Sequence, residues 1–99
     1  MALTPQARET FTRLFGVEPQ SHPTDPELFD ILQNGIFDEA FSSGVLTDVE
    51  RELLTVTVLT SMQTLPQLRA HVGAALNIGA SPLQLRETIY QCAPYIGFP

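Results

Sequence analysis

His71 and Glu52 are the two residues of this 99-residue chain best suited to proton chemistry. An imidazole already titrates near neutrality, so a small change of surroundings makes it a donor or an acceptor. On a helix turning about 100° per residue, His71 shares a side with Leu68, Val72, Ala75 and Ile78, which puts it on or at the border of an apolar face. Two roles are open to it there: a core-edge histidine satisfied by a backbone carbonyl, or a partly buried general acid or base. Glu52 lies on one line with Val56 and Leu59 in a segment with little charge, whereas its neighbours Glu50 and Arg51 can face water. A buried carboxylate is costly unless paired. Its partner is an arginine (Arg51, Arg69 or Arg86) or else His71, whose tautomer and basicity it would then set. We expect Glu52 and His71 to meet in a pocket, although 19 positions separate them.

Other side chains offer less. Asn77 and Gln91 could donate hydrogen bonds but are expected to face solvent or a neighbouring subunit. The single cysteine, Cys92, permits neither an intrachain disulfide nor a Cys-x-x-Cys redox pair. It is read as a small apolar residue near Pro94, or as a reactive thiol, which would require a cation beside it. No His-Glu-x-x-His or similar spacing occurs, so no metal site is expected. The sequence has no lysine, which excludes a Schiff base on the chain.

Charge narrows the partners. The formal net charge is -6 and the five cationic residues are all arginines, scattered along the chain. Nucleic acid needs clustered Lys and Arg to neutralise phosphates, so it is not expected as a partner. Nor is a membrane: no polybasic anchor is present, and no run reaches the roughly 18 apolar residues of a spanning helix. The start MALTPQARETFTRLF lacks a signal-peptide apolar run, and a cytoplasmic location is expected. Hydrophobic residues make up 43% but charged ones only 16%, against roughly a quarter in a globular norm. A small domain has much surface for its core, and covering some of it with further copies of the chain is the simplest remedy.

The elements that must position these residues are helices. Thr4-Pro5, Asp25-Pro26 and Ser81-Pro82 each pair a capping residue with proline at the first helical position. Thr47 with Glu50 and Ser81 with Gln84 form capping boxes, and a fifth start lies near Thr64, before Pro66. The expected helices run from Pro5 to Phe15, from Pro26 to Gly44 with a bend or break at Gly35, from Asp48 to Met62, from Leu65 to Ile78 with Gly79 left-handed beyond its end, and from Pro82 to a bend or stop near Pro94. Val56, Val58 and the interleaved threonines alternate like a strand, but the capping box and the length without Gly or Pro favour a helix. Gly97-Phe98-Pro99 reads as the lead-in to another helix, so the expectation is a truncated chain or a last helix supplied elsewhere.

Three stretches in series resemble the carboxymuconolactone decarboxylase family: residues 50 to 56 (ERELLTV), residues 68 to 80 (LRAHVGAALNIGA) and residues 89 to 99 (IYQCAPYIGFP). Order and spacing agree throughout residues 47 to 99, while residues 27 to 46 fit less specifically. The resemblance implies an all-α bundle of about five helices, alkylhydroperoxidase D-like, assembled into trimers or hexamers. At 99 residues the chain is expected to hold a single domain over residues 1–99, with residues 1–26 an N-terminal helix and loop and residues 27–99, by the resemblance, the family core. Family members of the alkylhydroperoxidase D type carry Cys-x-x-Cys ahead of the histidine, plus an upstream glutamate. Aligned on His71, those cysteine positions fall on Thr64 and Gln67 and the glutamate falls on Glu52. The proton-handling pair is kept and the redox pair is absent, which argues against a disulfide peroxidase.

In the reaction that names the family, a carboxylated muconolactone loses carbon dioxide and becomes an enol-lactone, and no cofactor is required. The resemblance therefore implies a cofactor-independent decarboxylase, or related lyase, acting on a small anionic lactone. His71 would be the acid/base, Glu52 its orienter, and Arg51 or Arg69 the group that holds the substrate carboxylate. The alternatives are a non-catalytic oligomeric binding or assembly module, and a thiol-dependent reductase using Cys92 with an external thiol.

Overall fold

The computed structural model describes residues 2–97, so Phe98 and Pro99, and with them the expected lead-in to a further helix, lie outside the described residues. The described residues form helices and turns and no strand. They divide into two compact units, Met1–Leu46 and Thr47–Pro99.

The first unit begins with α1 (Pro5–Phe15). Thr4 accepts a hydrogen bond from the Ala7 N–H at 3.1 Å, and Gly16, at φ 73°, closes the helix in the left-handed conformation that glycine adopts without steric cost. α2 (Pro26–Asn34) starts differently from the sequence expectation, because Asp25 makes no side-chain cap bond. The backbone N–H groups of Thr24 and Asp25 instead donate to His22 Nδ1 at 3.2 and 3.1 Å, so the preceding turn is held by an imidazole. Gly35 neither breaks the run nor leaves it α-helical: Gly35–Ala40 is a π-helical turn, followed by a 3-10 turn Phe41–Ser43 that ends at left-handed Gly44. That wide turn is pinned to the start of α1. Thr4 donates its N–H to Asn34 Oδ1 at 2.9 Å and its hydroxyl to Asp38 Oδ2 at 2.7 Å. Behind these bonds Phe37 packs edge-on against Phe11 and Phe15, with ring centroids 5.4 and 5.8 Å apart.

The second unit consists of α3 (Asp48–Met62), α4 (Leu65–Asn77) and α5 (Pro82–Ile96). Despite its strand-like alternation α3 is a helix, and within it Thr55, Thr57 and Ser61 satisfy their hydroxyls on carbonyls four residues earlier, each at 2.9 Å. Thr47 and Glu50 make both bonds of the capping box, at 3.1 and 2.9 Å. The backbone and side-chain hydrogen bonds with Thr47 hold the Glu50 carboxyl below its ordinary value of 4.5. Ser81 and Gln84 repeat the box at the head of α5. α5 does not stop near Pro94 but continues to Ile96 and is closed by the Gly97 N–H on the Ala93 carbonyl at 2.9 Å. Proline's missing N–H removes one rung, the bond to the Tyr90 carbonyl, and only two helical residues follow it. The core joins Val56, Ala75, Ala80 and Leu85, with Leu53, Leu68, Val72 and Ile89 packed around them.

Candidate functional site

The capping box fixes where α3 begins, and five residues beyond the cap Glu52 points inward. Glu52, Val56 and Thr60 follow one another at intervals of four, and all three are buried, so they form the inner edge of α3. α4 returns along this edge after a turn of two residues, Gln63 and Thr64. Gln63 takes up a left-handed φ of 58° as the C-cap of α3, and the Thr64 N–H bonds back to the Leu59 carbonyl at 3.1 Å. Two antiparallel helices joined so closely bring residues on their facing sides together.

The expected encounter takes place. His71 Nδ1 stands 2.9 Å from Glu52 Oε2, with the Glu52 side chain 1% exposed and that of His71 16% exposed. A carboxylate so deeply buried needs compensation, and a ring N–H donated to it supplies both a hydrogen bond and, when the ring is protonated, an opposite charge. The acceptor on Nδ1 also fixes the imidazole's tautomer and leaves exchange of a proton with any ligand to Nε2. Of the partners open to Glu52 from the sequence, the hydrogen-bonded one is thus the histidine.

The remaining candidates are dispersed. Arg51, next to Glu52, is half-buried. Arg69 is exposed, two residues before His71 and so about 200° around α4 from it. Cys92 is buried on α5 and its thiol donates to the Thr88 carbonyl at 3.4 Å. Asn77 and Gln91 are exposed. Among the described residues no three His, Cys, Asp or Glu side chains gather as a metal-ligand set. An open hollow of about 500 Å³ belongs wholly to the first unit, lined by Pro5, Arg8, Glu9, Thr12, Arg13 and Glu18. Arg8 and Glu18 lie 3.5 Å apart there, both well exposed, so that hollow lacks the burial of the Glu52–His71 pair. Spacing alone does not separate Thr60 from the other threonines of α3; burial does, and it extends the inner edge beyond the residues that periodicity marks.

Comparison with known proteins bears on the family of the chain. The sequence is 34% identical over 61 residues to a protein named 4-carboxymuconolactone decarboxylase from Acinetobacter baylyi (strain ATCC 33305 / BD413 / ADP1). The match covers 62% of this chain and 46% of that protein, so the chain spans under half of its relative's length. The profile of the carboxymuconolactone decarboxylase family matches residues 26–99, a stretch that contains the whole of α2 to α5 and both members of the buried pair. By that match, over most of its length, the chain belongs to the carboxymuconolactone decarboxylase family.

Proposed function

We propose that this protein is a cofactor-independent carboxy-lyase that decarboxylates a small anionic lactone, with His71 as the proton donor and Glu52 as the group that orients it. The observation that carries the reading is the 2.9 Å bond between a fully buried carboxylate and a slightly exposed imidazole. The Acinetobacter relative, by its name, supports a 4-carboxymuconolactone as substrate class. In such a reaction the bond to the leaving carboxylate breaks to give carbon dioxide. Its electron pair spreads through the adjacent unsaturation to the lactone carbonyl. The imidazolium then gives its Nε2 proton to carbon, keeping its Nδ1 proton on Glu52, and is reprotonated from solvent. Arg51, next in sequence to Glu52, and Arg69 are the cations proposed to hold the substrate's carboxylate.

We further propose a homo-oligomer, a trimer or hexamer, in which one 99-residue chain is the repeating unit. Support comes from apolar side chains that face outward: Leu28, Ile31 and Leu32 on α2, Leu54, Val58 and Met62 on α3, and Tyr90 and Tyr95 on α5. The same faces favour the second reading, an assembly module in which the buried pair is structural. The thiol reading has less behind it, since Cys92 is buried and engaged with Thr88.

One experiment separates catalysis from assembly. His71→Asn puts an amide nitrogen where Nδ1 was, keeps the bond to Glu52 and removes Nε2. Carbon dioxide release from a panel of carboxylated lactones should fall by about a hundredfold or more, the scale of general acid catalysis, in His71→Asn and in Glu52→Gln, with the oligomer intact. Release that is unchanged in His71→Asn, or absent from the parent across the panel, removes the decarboxylase assignment.

A further inference from the structure

Asn34 and Gly35 form the one Asn-Gly pair of the chain, at a place where the fold does not require glycine. Gly35 has a φ of −63° and a ψ of −45°, angles that any residue adopts in a helix. A Cβ there would meet nothing within 4 Å among the described residues. Inside a continuous helical run such a glycine costs stability relative to alanine, and neither packing nor backbone angle accounts for it. The pair does have a chemical property. With no side chain to hinder it, the backbone nitrogen of a glycine attacks the carboxamide of a preceding asparagine more readily than that of any other residue. The nitrogen gives its proton to solvent base and bonds to Cγ, the bond from Cγ to Nδ2 breaks, and ammonia leaves with a proton returned from solvent. Water then opens the cyclic imide at either carbonyl. The products are aspartate and isoaspartate, and in the latter the backbone runs through Cβ and Cγ.

The folded chain withholds both reactants. The Gly35 N–H is bonded to the carbonyls of Ile31 and Leu32. The Asn34 carboxamide is clamped at both of its polar atoms by the start of the chain: Oδ1 accepts the Thr4 N–H at 2.9 Å, and Nδ2 donates to the Ala2 carbonyl at 3.1 Å. Ala2 is exposed, and Leu3 and Thr4 are only half-buried, so this seat can open without unfolding the unit around it. Once reacted, the seat no longer fits. Aspartate keeps an acceptor for the Thr4 N–H but turns its second oxygen on the Ala2 carbonyl, acceptor against acceptor, and isoaspartate adds an atom to the backbone at the entry to the π turn.

We propose that the Asn34-Gly35 pair is a self-modification site gated by the chain's own first residues. It is silent while residues 2–4 are seated on Asn34, deamidates once they lift, and refuses them afterwards. Release of the segment before α1 is thereby recorded in the covalent structure. The inference stands apart from the decarboxylase reading and from the Glu52–His71 pair.

The test incubates the full chain in mildly alkaline buffer, beside the same chain unfolded in urea. Mass spectrometry with chromatographic separation of isoaspartate follows the peptide that carries residues 34 and 35. Aspartate and isoaspartate should form in both samples, at least about tenfold more slowly in the folded one, because the seated form dominates. Gly35→Ala should react more slowly than the parent even in urea. Thr4→Pro, at a φ of −67° that suits proline, removes the N–H given to Asn34 and should raise the folded rate about tenfold, the worth of one hydrogen bond. The gate is also tested without any variant: in urea below the unfolding transition, deamidation of the parent should rise in step with hydrogen exchange of the Thr4 amide. Deamidation that rises instead with exchange at buried Leu14 overturns the gate, as does a folded rate equal to the unfolded one or left unchanged by Thr4→Pro. Asn34→Asp, the product itself, should leave the Thr4 amide exchanging faster than in the parent, and equal exchange would show that the product reseats and overturn the proposal.

Discussion

At the scale of single residues, the two halves of the buried pair are unequal. Glu52 is sealed from solvent and His71 reaches its edge, so removing the histidine strands a carboxylate, while neutralising the glutamate strands nothing that is charged and buried to the same degree. We therefore expect His71→Ala to lower unfolding free energy by about 3 kcal/mol or more, the cost of breaking a buried pair from one side. His71→Asn should cost no more than about half of that, since an amide donor remains on the carboxylate. Urea denaturation of both variants checks the difference, and equal losses would mean that Glu52 has another partner when His71 is gone. Both residues were legible in the sequence because each is a polar group on a line of apolar ones. Thr60 was not, since threonine suits either side of a helix and its lack of a partner exists only once the chain is folded.

At the scale of elements, the caps were the most legible features. Thr4, Thr47 and Ser81 all make the bonds their sequences call for, because a cap depends on residues within three positions of each other. Asp25 stands at the N-cap of α2 where its sequence puts it but makes no side-chain bond there, and the turn before it is held by His22, a contact that periodicity does not register. The two capping boxes differ in charge: α3 uses a glutamate and α5 a glutamine. With its folded value held below the ordinary 4.5, Glu50 adds stability above that value and loses it as pH falls through the folded one. The melting temperature of Glu50→Gln should accordingly fall less steeply than that of the parent on acidification below 4.5, and Gln84→Glu should add a like sensitivity at α5. A scan of melting temperature against pH decides it, and parallel curves for parent and Glu50→Gln would show that the box gains nothing from charge. Acid would loosen first the turn of α3 that leads into Glu52.

At the scale of the whole molecule, apolar surface is the feature to explain. Val58 and Met62 on α3 are 54% and 67% exposed and Tyr95 on α5 is 80% exposed, and contiguous patches of that kind mark interfaces. The outer side of α3 is not legible in the sequence, because its strand-like alternation conceals which valine turns inward. If these faces meet other copies of the chain, light scattering at micromolar concentration should give a multiple of the 10.9 kDa chain. Val58→Asp should then reduce that mass while far-UV dichroism stays helical. A stable monomer in the parent would leave the exposed side of α3 without that explanation.

The wide turn at Gly35–Ala40 has a consequence of a different kind. A π turn is in effect an α-helix that has taken in one surplus residue. Before it, Leu28, Ile31 and Leu32 look outward; within it, Phe37 looks inward to Phe11 and Phe15. Were the segment regular, every side chain past the turn would be rotated by about 100°, and Phe41 would leave its place beside Phe37. The surplus residue thus works as a phase corrector, letting one unbroken run of helix serve two different neighbourhoods without a loop. Chain length within 35–40 is for that reason less negotiable than residue identity: a conservative exchange there leaves the angle alone, whereas a one-residue deletion resets the direction of everything that follows up to Gly44.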